Sequence, residues 1–362
     1  MFVRKLLIVL FIVPLLLATI KEKRQSAGVI SEKELAVGAQ PQIAVDSKGT
    51  IHIAYGLKNG NDRLLYYIFS KDSGKSFSEP SLLGKFPQMG LGMGRGPQIT
   101  TTKDFVTVTV GDHHGNLYAL RSSGGPGSWS APVKINDKDS TAKEALSEIC
   151  AGSGNLVYTA WLDTRLGNNN LFGAISKDGG ATWGKNQLIY KGEQKGVCDC
   201  CKPSVFIDKT EVLHIMFRNK LDGARNMYIV QSKDYGQHFS TAKKLGSTDF
   251  MIDGCPMDGG DISADGSGIV TTVWRRQTEV FEAKPGKQEV KIGTGNTPTV
   301  VETRHGPLIV WHQNGEILYR GSHGREGRLA KGQFPKLAAS SVQDKIFCVY
   351  EQNDKIVFTT FQ

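Results

Sequence analysis

The chain has 362 residues, a formal net charge of +9, 42 glycines and six cysteines. It carries no long Lys/Arg run and no basic patch interleaved with aromatics, which argues against a nucleic-acid partner. Glycine abundance without long helical periodicity argues against a helical protein and for many short strands joined by turns.

In chain order, the first element is a leader. Arg4 and Lys5 precede an apolar run from Leu6 to Ile20, and a basic stretch follows. That is the layout of a secretory signal. The run is short for a full span of roughly 20 residues, and no small-x-small cleavage site follows, so an uncleaved N-terminal membrane anchor competes with cleavage. Residues 1–27 are therefore expected to direct export, to a periplasmic, extracellular or membrane-tethered location. They hold a net +4, which leaves about +5 on residues 28–362, read as one domain.

A repeat runs through that domain. SKDSGKSF (70–77), SKDGGATW (176–183) and SKDYGQHF (232–239) share Ser-Lys-Asp-x-Gly-x-x-aromatic, and SSGGPGSW (122–129) is a worn copy. Asp can bond back to its own backbone and Gly supplies the positive φ of a tight turn, so the box is a structural hairpin device closed by an aromatic plug. Its carriers are Ser70, Asp72, Gly74 and Phe77, then Ser176, Asp178, Gly180 and Trp183, then Ser232, Asp234, Gly236 and Phe239. Around the boxes, strand–turn–strand stretches recur, alternating in polarity and rich in Val, Ile, Thr and aromatics. Units begin near Pro41, Pro97, Ala145, Pro203, Gly260, Thr297 and Phe334. Four strands at this period predict an all-β protein, a β-propeller of seven four-stranded antiparallel blades, or six if one weak unit is miscounted. The last unit has three strands, and residues 30–38 are expected to close it as the fourth, removing a raw sheet edge.

The Ser-x-Asp-x-Gly-x-x-Trp/Phe boxes resemble the Asp-boxes of sialidases and related bacterial neuraminidase-repeat (BNR) propellers, which usually have six blades. The resemblance implies a face that binds carbohydrate, built from the interblade connections and the loops between second and third strands. Asp-boxes lie on the opposite face. The mouth candidates are then Arg95, Asp112, His113, Asp163, Arg165, Arg218, Arg275, His312 and Glu351. Arg165, Arg218 and Arg275 hold similar places in successive units, and planar guanidiniums suit a carboxylate clamp such as sialidases use. An exo-sialidase mechanism further implies a Tyr nucleophile assisted by Glu and an Asp acid/base. Tyr350, Glu351 and Asp112 or Asp163 are the residues to fit, although the Arg-Ile-Pro signature is absent where Gln40-Pro41-Gln42-Ile43 stands.

VCDCCKPSV (197–205) holds three of the six cysteines. Cys150 and Cys348 lie within strands and read as buried singletons. Cys198, Cys200, Cys201 and Cys255 fall in the two connections flanking unit four. In an exported protein they form two disulfides, at least one of them between the connections. A soft metal competes, copper ahead of zinc, with Met89, Met93, Met257, His113 and His114 on the same rim. The expectation is a monomeric propeller that binds a carbohydrate or small anionic ligand at a Cys- and Arg-bearing mouth. Glycoside hydrolysis and metal or redox chemistry are the rival readings.

Overall fold

The computed structural model describes residues 32–123, 128–193, 196–255, 257–340 and 342–361, so the leader expectation lies outside it. Seven four-stranded antiparallel sheets follow one another along the chain. Blades 1 to 6 span 39–85, 98–134, 147–190, 204–244, 261–294 and 296–331. Blade 7 takes three strands from 333–361, and Lys33–Val37 pairs antiparallel with Lys355–Phe361 as its outer strand. Seven blades and terminal closure stand as the repeat predicts. Among the described residues the only helical turn is Ser322–Gly324, and no helix is long and apolar enough to cross a membrane.

Seven hydrophobic clusters hold the ring, one between each pair of adjacent blades. In the second strand of blade 7, Phe347 and Val349 pack toward blade 1, while Cys348 and Tyr350 pack toward blade 6. Successive side chains of a strand point to opposite faces, and both faces of a blade are covered. The second strands are therefore buried on both faces along their middles, and at every position in Val106–Gly111 and Leu213–Arg218. Polar–apolar alternation is the wrong expectation for them; a strand buried on both faces reads as a nearly continuous apolar run.

The Asp-boxes fix these interfaces from below. In blade 3, Ser176 Oγ accepts from the Gly180 N–H (2.8 Å), and Asp178 accepts from the Thr182 N–H and hydroxyl (2.9 and 2.6 Å). The same pattern recurs at Ser70/Asp72/Gly74 and Ser232/Asp234/Gly236. Gly180 and Gly236 have φ of +91° and +89°, and a Cβ there would meet Thr107 and Tyr158 of the preceding blade at 2.8 and 2.7 Å. The closing aromatics reach the same neighbour: Phe77 lies edge-on to Phe358 of blade 7 (4.9 Å), and Trp129 to Tyr67 of blade 1 (5.0 Å). Each box thus clips its blade to the one before.

Phe358 joins the closing strand, the first box and the core between blades 7 and 1. Phe358→Ala is expected to cost about 3–5 kcal/mol in denaturant unfolding, more than Phe77→Ala, whose ring is only partly buried. A second expectation concerns acid. The Asp178 carboxyl is pushed up by burial, but its bonds from Thr182 and Ser176 outweigh this and hold it below the usual range. A depressed folded-state pKa gives stability that is fully present above the unfolded value, roughly 3.9, and is lost as pH falls from there through the lower folded value. The urea midpoint of Asp178→Asn should therefore drop less between pH 6 and pH 3 than that of the wild type.

Candidate functional site

Inner strands start, and second strands end, on the face opposite the boxes. Strand pairing aligns one position around that rim: Gly56, Gly111, Asp163, Arg218, Arg275, His312 and Glu351. Five of these were singled out from sequence, and the structure shows what each does. Arg218 is fully buried; its Nη1 donates to the Arg225 carbonyl (2.8 Å) and its Nη2 to the carbonyls of Asp258 (3.1 Å) and Arg275 (2.8 Å). Arg275 donates to Asn296 Oδ1 (2.7 Å) and pairs with Asp258 (3.2 Å). Asp258 accepts from the Thr297 N–H, and Thr297 bonds His312 Nδ1 (2.8 Å). Burial pushes the His312 imidazole down. Glu351 accepts from the Gln40 backbone N–H (2.5 Å) and Nε2 (3.0 Å). Burial raises its carboxyl, those bonds only partly offsetting it. At Gly56 and Gly111 the next connection fills the space, with Leu91 and Ala145 within 3 Å of where a Cβ would stand.

These contacts correct the clamp reading. Arg165 is held by Asp163 (2.9 Å), Asp137 (2.6 Å) and Asn186 (2.9 Å), between blades 2 and 3. Each arginine is committed to its own interblade seam, so the three do not share one ligand. Arg95 likewise binds Glu144 through its carbonyl and carboxylate (2.8 and 2.9 Å).

The catalytic constellation is not assembled either. Tyr350 is fully buried among the apolar side chains between blades 6 and 7, and burial pushes its phenol up. Its neighbour Glu351 faces blade 1, as adjacent strand positions must. Asp163 has no exposed surface and accepts from Arg165, Trp161 Nε1 (2.8 Å) and Thr141 (2.9 Å). Burial would raise its carboxyl, but the Arg165 bonds hold it below the usual range. Asp112 closes a turn by accepting from the Asn116 N–H, leaving His113 and His114 exposed at the tip of blade 2.

The cysteines do come together. Cys200 and Cys255 are disulfide-bonded, tying the connection before blade 4 to the one after it. The Cys198 sulfur lies 3.6 Å from Cys200 and 3.5 Å from Cys201, and Cys200 lies 3.9 Å from Cys201. Arg225 Nη1 donates to Cys198 at 3.1 Å. The Cys201 thiol and this guanidinium hold Cys198 down at about 6, while burial pushes Cys201 up. Cys150 and Cys348 are buried and free, as read from sequence. Met89 is sealed in the core between blades 1 and 2, so it is unsuited to ligate at the rim; Met93 and Met257 are exposed.

Sequence reasoning missed the charges at the channel itself. Glu148, Asp261 and Lys336 sit on inner strands and line an axial cavity of about 350 Å³, with Gln42, Thr299 and apolar side chains completing the wall. Lys202, next to Cys201, is buried and ion-paired to Glu148. Burial, reinforced by the Lys336 cation, pushes its ammonium well below the usual lysine value, while Asp261 and Asp258 oppose the fall. The available signal was chemical: a carboxylate or ammonium on an inner propeller strand faces either a seam between blades or the axis. A larger, more open recess of about 560 Å³ lies off-axis between blades 4 and 5, around Phe250, Arg276, Phe281 and Glu289.

Residues 105–253 match the family described as BNR repeat-like domain. No curated protein matches the chain. Among solved structures, a Dyadobacter fermentans protein of unknown function aligns at TM-score 0.55 and 16% identity, over 94% of this chain and 98% of that one. A Penicillium chrysogenum α-L-arabinanase complexed with arabinobiose aligns at 0.54 and 10% identity, over 92% and 98%. A Hadza microbial sialidase aligns at 0.51 and 12% identity, over 90% of this chain and 66% of that one. At such identities the likeness is one of fold. Residues 105–253 thus carry a BNR-type repeat, and the chain as a whole has the fold of a seven-bladed β-propeller.

Proposed function

We propose that this propeller binds a carboxylate-bearing carbohydrate at the axial mouth. The observation that carries the reading is the set of half-buried charges Glu148, Asp261 and Lys336 on the wall of the axial cavity, with the buried Lys202 paired to Glu148 beside it. Small-molecule sites are concave, with a few converging polar groups. Lysine cations suit a ligand carboxylate, and the carboxylates and amides of the wall suit sugar hydroxyls. Binding without turnover is the favoured activity, because the tyrosine assigned as nucleophile is inside the blade core. The arabinobiose held by the arabinanase neighbour and the name of the sialidase neighbour agree with the ligand class. The apolar leader supports export, and the binding unit is taken as a monomer.

Calorimetry with N-acetylneuraminic acid and its methyl ester tests the reading. The acid should bind and the ester should bind at least about 10-fold more weakly, the scale of one charge-assisted hydrogen bond. Lys336→Ala should lose a similar factor and Lys336→Arg should keep most of it. Affinity should fall as pH rises, beginning below the ordinary lysine value near 10, because Lys202 deprotonates early. Arg165→Ala should lower stability, by about 3–5 kcal/mol for a broken buried pair, and leave affinity unchanged. Equal binding of acid and ester, or none, overturns the proposal. Hydrolysis of a fluorogenic sialoside replaces it with the enzyme reading.

A further inference from the structure

The four rim cysteines play no part in that ligand reading. Cys198, Cys200 and Cys201 form a triangle of sulfurs with edges of 3.6, 3.5 and 3.9 Å. A tetrahedral metal–thiolate centre with bonds of about 2.3 Å has sulfur–sulfur edges of about 3.8 Å. The fourth sulfur, Cys255, is bonded to one corner of the triangle. Three sulfurs from a four-residue stretch are thus already spaced as one face of a coordination tetrahedron.

A second observation concerns charge. Arg218 and Arg225 are buried beside the cluster. Among the described residues Arg218 makes no ion pair, and its Nε has no partner. The one ion pair of Arg225 among the described residues is with Asp199, at 3.8 Å, whose carboxylate is 64% exposed, and its Nε is also without a partner. A buried charge is costly unless an opposite charge answers it. Four thiolates around zinc(II), or three around copper(I), leave two negative charges, which two guanidiniums match.

The geometry points to Cys198, Cys200, Cys201 and Cys255, in the reduced protein, as a thiolate centre for one soft d10 cation, zinc(II) or copper(I). The disulfide is the oxidised state of the same four sulfurs. An external dithiol opens it by giving two electrons and two protons to Cys200 and Cys255, and itself closes to a disulfide. The thiols then release their protons to water as metal–sulfur bonds form. Because the two connections flanking blade 4 both supply ligands, the cation takes over the covalent tie that reduction removes. Arg225, whose Nη1 bonds the Cys198 sulfur, is a positioning residue for that ligand.

The test uses the full chain, reduced with a non-chelating phosphine without oxygen and titrated separately with zinc(II) and copper(I). One equivalent of either cation should bind, with an X-ray absorption shell of three or four sulfurs at about 2.3 Å. Arg225→Gln should lower affinity by roughly 10–100-fold, as loss of an outer-shell partner does. Cys198→Ser/Cys201→Ser should lose more, and Cys150→Ser/Cys348→Ser should bind as wild type. Failure of the reduced wild type to retain either cation, a shell of mainly nitrogen and oxygen, or unchanged affinity in Cys198→Ser/Cys201→Ser overturns the inference. The absorption shell of the wild type decides alone if that double variant does not fold. Sugar binding at the axis is read separately, so the two proposals fail independently.

Discussion

Every blade must bury both of its faces against its neighbours, and this requirement organises the molecule. A four-stranded sheet that is apolar on both faces needs another element packed on each of them. Here seven such sheets share seven apolar seams, and the ring leaves none without a partner. Closure is therefore required by energetics as well as topology. If Lys33–Val37 did not complete blade 7, the last strand would present unpaired backbone groups at the ring's one joint.

The same requirement governs the rim. A polar side chain at the end of a second strand stands between its own blade and the next, partly out of water. Unpaired, it would cost more than it gains. Arg218, Arg275, His312 and Glu351 answer this by bonding the start of the next blade or its connection, His312 by accepting from the Phe334 N–H, which turns a line of potential ligands into a belt around blades 4 to 7 and back to blade 1. Blades 1 and 2 use glycine instead, and the connection itself moves into the gap. The belt leaves the axis as the place where charged groups still face open volume.

The fold was legible in the sequence because its device is local. The Ser, Asp and Gly of a box bond one another within seven residues, so the repeat survives in the text wherever the turn survives in space. Blade order, blade number and the role of the first strand follow from counting such units. The site was half legible. Position along a strand put Arg218, Arg275 and Glu351 at the ends of second strands and the cysteines in the connections flanking blade 4. It did not tell which seam each side chain enters, because that depends on partners hundreds of residues away, as with Gln40 and Glu351. Tyr350 and Glu351 show the limit: adjacent in sequence, they serve opposite faces of one blade.

Blade 4 is where these constraints meet. Its entering connection carries Cys198, Cys200 and Cys201, and then Lys202, before the inner strand begins at Ser204. Its exit carries Cys255 and Asp258. The sulfur tie and the axial ammonium are therefore consecutive residues of one backbone segment, and Gly259 packs against the Lys202 carbonyl so closely that a Cβ would stand 1.8 Å away. Movement of either connection must move Lys202 relative to Glu148, its partner in blade 3. A buried pair of this kind depends strongly on separation, because Coulomb energy is large where water is excluded. What fixes the two connections, whether a sulfur–sulfur bond or a bound cation, thereby also fixes where the positive charge sits over the channel.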